Sequence, residues 1–208
     1  EIKFDDDFIL GLAKDSEFTV YYSATLNENA SIGPDDGNDN EVYLSYGENA
    51  EWKTNVHKTS TYTWEMNVLK YTMDGKNKIT LADAVFQLID KDDNAIKFSA
   101  VDGAAVPTYK VDAEGTITDI TTDANGKFEI VGLDEGTYKL HEVSAPEGYN
   151  KLATDLDVVI TSEYDEANLT ATYKINNSEP VTIEVENKTG GLFPETGGIG
   201  TTIFYIVG

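Results

Sequence analysis

Short runs of apolar–polar alternation, each about a strand long and each closed by a turn signal, constrain this chain more than any other feature. Period-two alternation makes one face of a run apolar and the other polar, the pattern of a half-buried β-strand. It recurs in FTVYYSATL, EVYLSY, TYTWEMNVLKY, AVFQLID, GKFEIVGL, GTYKLHEV, DLDVVIT, LTATYKI and PVTIEVEN. The sequences DGKN, DKDDN, DANG, LDEG and APEG separate many of these runs. Their Gly, Asn and Asp residues tolerate positive φ or bond their own backbone, so they reverse the chain. SIGPDDGNDN reads as a longer loop, and LADAVF has room for one helical turn. No window of a dozen residues carries a helical stripe. The pattern predicts an all-β protein, a sandwich or a barrel-like fold.

Charge and cysteine content narrow the function. The chain has 38 Asp and Glu against 15 Lys and Arg, a net charge of −23. Such a surface repels phosphate backbones and anionic lipid headgroups, which argues against nucleic acid as a partner. There is no cysteine, so disulfides, zinc–thiolate sites, iron–sulfur clusters and thiol nucleophiles are excluded. A length of 208 residues has room for one or two domains. Residues 1–66 supply too few strands for a sandwich and read as the C-terminal part of an upstream β-sandwich. Residues 67–188 supply enough for a whole domain, and 189–208 read as linker, sorting segment and a truncated apolar run. A spanning helix needs about 20 apolar residues, whereas Ile199 to Gly208 supplies ten. No basic-then-apolar leader opens the sequence at Glu1, so either the start has been processed off or this is a fragment of a longer chain, and the short apolar run at the tail favours the fragment.

Strand parity singles out three polar residues. In EMNVLKY, Met66, Val68 and Lys70 share a face; in GTYKLHEV, Tyr138, Leu140 and Glu142 do, with Lys139 and His141 outward. In PVTIEVEN, Val181, Ile183, Val185 and Asn187 share a face. Taken singly, a lysine, a glutamate and an asparagine in or beside strands are solvated or capping residues. Together they place an amine, a carboxyl and a carboxamide in apolar rows. Burial penalises charged forms, so amine and carboxyl both drift toward neutrality. A neutral amine is a nucleophile, and a nearby carboxyl can polarise the amide carbonyl and carry protons to the leaving ammonia. Held at contact, the pair would gain the effective concentration of an intramolecular reaction. The product would be an isopeptide bond joining Lys70 to Asn187.

These residues carry a resemblance. LKYTMDGKNKITLADAVFQLID, GKFEIVGLDEGTYKLHEVSAPEGYNKL and VTIEVENK resemble a Cna protein B-type domain of Gram-positive pilins, over about 67–188. Tyr138, Leu140, Glu142, Ala145, Pro146, Gly148 and Tyr149 match the segment called the E-box in that family. The resemblance implies an all-β, immunoglobulin-like β-sandwich in which Lys70 and Asn187 form the bond autocatalytically, with Glu142 as the catalytic residue. Lys76 and Lys78 are rival lysines, but their MDGKNK turn should leave them solvated. The stretch from FTVYYSATL to YGEN is similar to the end of the middle domain of pilus backbone subunits. That family often carries YSN where this chain reads YGEN, so no residue is assigned to a second bond.

Phe193, Pro194, Glu195, Thr196 and Gly197 resemble the sortase sorting signal, with Phe193 in place of its leucine. The resemblance implies attack by a sortase cysteine between Thr196 and Gly197. The acyl group at Thr196 would then pass to an amine on another pilin subunit or on peptidoglycan. Gly190 and Gly191 give a flexible approach, Pro194 kinks the chain, and Gly197–Gly198 leave the scissile bond uncrowded. The apolar run would hold the precursor at the membrane until cleavage. The implied protein is an extracellular or wall-anchored pilus subunit, a substrate of sortase, needing no cofactor and no metal. Two other readings are a wall-anchored adhesin that uses the domain as a stalk below a host-ligand site, and an accessory module of a surface enzyme. DKDDNAIKFSAV is spaced like a calcium loop, yet Ala95 replaces its glycine and Val101 its glutamate, so a hairpin turn is expected.

Overall fold

The computed structural model describes residues 2–27, 29–35, 37–179 and 182–189. The chain divides into two compact units, one of the first 30 residues and one from Ser31 onward. In the first, α1 (Asp6–Leu10) is opened by Asp5, whose carboxylate accepts from the Asp7 and Phe8 N–H groups. Phe4 and Phe18 pack edge to face, 4.7 Å between centroids. The alternating run FTVYYSATL forms no strand, which corrects the sequence reading: residues 16–27 have no regular structure, and Tyr21 is 91% exposed. Alternation specifies a face but supplies no ladder partner. An extended run becomes a strand only when a neighbour takes its N–H and C=O groups.

The second unit opens with two small antiparallel ladders. β1 (Asn38–Val42) pairs with β4 (His57–Thr61), and β2 (Ser45–Tyr46) with β3 (Trp52–Lys53). EVYLSY is thus divided between β1 and β2 rather than forming one strand. A two-sheet sandwich follows. Its strands are β5 (Trp64–Asp74), β6 (Asn77–Thr80), β7 (Val85–Ile89), β8 (Phe98–Ala100), β9 (Thr108–Val111) and β10 (Ile120–Thr121). β11 (Lys127–Leu133), β12 (Gly136–Ser144), β13 (Leu156–Asp165), β14 (Thr170–Ile175) and β15 (Thr182–Glu186) complete it.

One sheet runs β15-β5-β11-β9-β8 with β6 also on β5; the other runs β10-β7-β12-β13-β14. Trp64, Met66, Val68, Phe128, Ile130 and Val185 of the first face Phe86, Leu88, Leu140, Val158 and Ile160 of the second in one buried core. Burying each such side chain stabilises the fold by about 1.5–3 kcal/mol. LADAVF makes no helical turn: Asp83 takes positive φ and Val85 starts β7. DKDDN reverses the chain between Ile89 and Ala95, which bridge antiparallel. The Asp90 carboxylate closes that turn on the Asp92 and Asn94 N–H groups. Those donors pull its pKa below the ordinary value.

The ends of the sandwich meet. β15 lies parallel to β5, with Val185 opposite Lys70 and Glu186 opposite Tyr71. A parallel neighbour cannot be reached by a tight turn, and here nearly the whole sandwich intervenes. No helix among the described residues is long and apolar enough to cross a membrane.

Candidate functional site

In β5 burial alternates strictly from Trp64 to Thr72, so Lys70 stands in the core-facing row. Its backbone is held from both sides: its N–H donates to the Gly126 carbonyl (2.7 Å) and its carbonyl accepts from Leu81 (2.9 Å). Glu142 comes from the opposite sheet, opposite Phe86 of β7, just before the register shifts between Glu142 and Ser144. A bulge of that kind re-aims the side chains beside it. Asn187 follows β15 and is fixed by its N–H donating to the Tyr71 carbonyl (2.9 Å). Val181 lies outside the described residues.

The structure brings Lys70, Glu142 and Asn187 together. Lys70 is 0% exposed, Glu142 1% and Asn187 1%. Lys70 Nζ is 3.0 Å from Glu142 Oε1. Asn187 Nδ2 donates to Glu142 Oε2 at 3.0 Å. The carboxyl therefore bridges the amine and the amide, one oxygen to each. The Nζ–Oε1 contact is off the hydrogen-bond direction, and among the described residues neither atom makes another hydrogen bond, nor does Asn187 Oδ1 make one. Nζ also lies 5.6 Å from the Phe86 ring centroid. Burial drives the Lys70 amine below its ordinary pKa, and the Glu142 carboxyl restores only part of the loss.

The amide turns its Nδ2, rather than its carbonyl, toward Glu142. The carboxyl thus faces the amide nitrogen rather than Oδ1. Sequence reasoning missed Leu152, whose N–H donates to Glu142 Oε2 at 2.7 Å. A backbone donor has no residue signature, so only the course of the loop after the E-box segment reveals it. Gly126 was equally invisible: a Cβ there would lie 2.3 Å from the Lys70 carbonyl oxygen.

The other singled-out residues lie elsewhere. Lys78 is on β6, where its amine bonds Glu184 and lies 4.7 Å from the Tyr71 ring centroid. His141 is half-exposed and pairs with Asp155 at 2.6 Å. Phe193, Pro194, Glu195, Thr196 and Gly197 lie outside the described residues. Among the described residues, no three His, Asp or Glu side chains are grouped to hold a metal ion.

Residues 65–179 match the family described as SpaA, prealbumin-like fold domain. Over 112 residues the chain is 33% identical to serine-aspartate repeat-containing protein D of Staphylococcus aureus (strain Newman), covering 52% of this chain. The match spans only 8% of that protein's length. Among solved structures, GBS52, the minor pilin of the Gram-positive pathogen Streptococcus agalactiae, aligns with a TM-score of 0.46 and 24% identity. That alignment covers 69% of this chain and 56% of the pilin. The shaft pilin SpaA of Lactobacillus rhamnosus GG aligns with a TM-score of 0.41 and 21% identity, covering 66% of this chain and 50% of its own. On the match over residues 65–179, which is more than half of the sequence, the chain belongs to the SpaA prealbumin-like fold domain family.

Proposed function

We propose that the chain is a structural pilus subunit of a Gram-positive bacterium, braced by a Lys70–Asn187 isopeptide bond and joined to its neighbours by sortase through Phe193–Gly197. The observation that carries the reading is the buried cluster in which one carboxyl touches both an amine and a carboxamide. In the proposed reaction neutral Nζ attacks Asn187 Cγ, forming the Nζ–Cγ bond. The Cγ–Nδ2 bond breaks, a proton passes from Nζ through the carboxyl of Glu142 to Nδ2, and ammonia leaves. No oxidant, metal or cofactor enters the balance. Because Lys70 is in β5 and Asn187 follows β15, the bond would close the sandwich between its first and last strands.

The test is the intact mass of the full chain beside Glu142→Ala. The expected result is a parent lighter by one ammonia, an unshifted variant, and a crosslinked peptide joining Lys70 to Asn187. A folded parent at its full sequence mass removes the crosslink from the account. For attachment, sortase with an amine acceptor is expected to release the segment from Gly197 onward and to leave Thr196→Ala intact. Partners under this reading are sortase and then other pilin subunits or peptidoglycan, at the cell surface. A second reading, an anchored adhesin with this domain as stalk, has one observation in its favour: the matching segment is 8% of a much longer protein. It predicts single-copy attachment to the wall rather than a ladder of sortase-linked polymers, with host surface ligands bound outside the described residues.

A further inference from the structure

We infer that residues Tyr149–Leu152 form a positioning strap that sets the geometry of the crosslinking cluster, an inference that rests on the isopeptide reading above. Four observations converge on it. Leu152 N–H donates to Glu142 Oε2 at 2.7 Å, the same oxygen that accepts from Asn187 Nδ2 at 3.0 Å. Two residues earlier, Asn150 N–H donates to the Lys188 carbonyl at 2.9 Å. Tyr149 and Thr189 form an antiparallel bridge, and Asn150 Nδ2 reaches the Thr189 carbonyl at 3.4 Å. Upstream, Tyr149 N–H closes a turn on the Pro146 carbonyl (3.1 Å) through Gly148 at φ +88°.

One short segment therefore binds the catalytic carboxyl through Leu152 and the chain just beyond Asn187 through Asn150. The strap fixes the carboxyl and the amide relative to each other with backbone donors, which neither titrate nor change rotamer. It also divides the work between the two carboxyl oxygens. Oε2, with two donors, is held as an acceptor against the leaving nitrogen. Among the described residues Oε1 accepts no hydrogen bond of good geometry and lies 3.0 Å from Nζ, so it is the oxygen that faces the amine. Leu152 is thus a positioning residue acting through Glu142, by its amide and not by its side chain.

The experiment follows ammonia loss over time in newly translated full chain by intact mass. Leu152→Pro deletes the donor, while Leu152→Ala keeps it and removes only the side chain. Leu152→Pro is expected to slow bond formation roughly 100-fold, and Leu152→Ala to form the bond at close to the parental rate. Equal rates in the parent and Leu152→Pro overturn the inference, as does equal slowing in both variants, which would assign the effect to packing. If Leu152→Pro does not fold, amide hydrogen exchange decides instead. The Leu152 N–H is expected to be protected in the parent and to exchange faster in Glu142→Ala; an unprotected Leu152 N–H in the parent overturns the strap. A parent that keeps its ammonia while Leu152 is protected sinks the crosslink itself and with it this role, leaving the strap as architecture.

Discussion

Lys70 sits where an ammonium ion is most costly: fully buried, on an apolar row, with its amine off-axis from the nearest carboxyl oxygen. Burial lowers its pKa from 10.5, so a larger share of the amine is neutral at any given pH than for a surface lysine. The rate of the proposed bond formation is therefore expected to rise with pH and level off before 10.5. Ammonia release from newly translated chain across a pH series checks this; a rise continuing beyond 10.5 would show an unshifted amine. In Asn187→Ala, which keeps the amine free, the same shift makes the unfolded chain bind more protons than the folded one between the lowered value and 10.5. Stability of that variant should consequently increase with pH across this window, and be lower and flat with respect to Lys70 below it, as read by urea titration.

At the scale of single elements, turns do the aligning. The DANGK turn hangs on Asp123, whose carboxylate accepts from the Asn125 and Lys127 N–H groups. It delivers the Gly126 carbonyl to Lys70 N–H. Gly126 has φ +72° and no room for a Cβ beside the Lys70 carbonyl. Gly126→Ala should cost about 2 kcal/mol or more in urea denaturation and slow the proposed crosslinking as well, since the displaced atom belongs to Lys70's own peptide. At the other end of β5, Trp64 stacks on Tyr173 of β14 at 4.6 Å, and the Tyr173 hydroxyl donates to the Glu65 carbonyl at 3.0 Å. Burial, then the charge of Glu65, raise the Tyr173 pKa, so the phenol stays a donor at physiological pH. Tyr173→Phe should lose about 1 kcal/mol of stability while leaving the proposed loss of one ammonia unchanged. Much of this level was legible beforehand. The parity of β5, β12 and β15 placed Lys70, Glu142 and Asn187 inward, because a pleated strand fixes side-chain direction locally. The Phe18–Leu26 run had equal alternation and formed no strand, because pairing is a property of two segments.

For the molecule as a whole, the proposed bond would close a loop on the order of 100 residues, which in the chain-entropy account stabilises by about 4–5 kcal/mol. Asn187→Ala is expected to lose at least that amount, measured as a lower thermal midpoint and faster proteolysis. Load entering at Lys70 and leaving at Asn187 would bypass nearly every strand of the sandwich. In single-molecule pulling, the parent should show no unfolding extension between these residues and Asn187→Ala should show one.

The sequence by itself determined the strand class, the inward rows, the turn chemistry and the residue types of the candidate cluster, since each depends on neighbours a few positions apart. Tertiary structure alone decided that β15 lies parallel to β5 with Val185 opposite Lys70, that Glu142 reaches across from the other sheet, and that the Leu152 amide meets its carboxyl. Those contacts join segments far apart in the chain. They are set by how two sheets pack and by loop closure, and no local pattern encodes either.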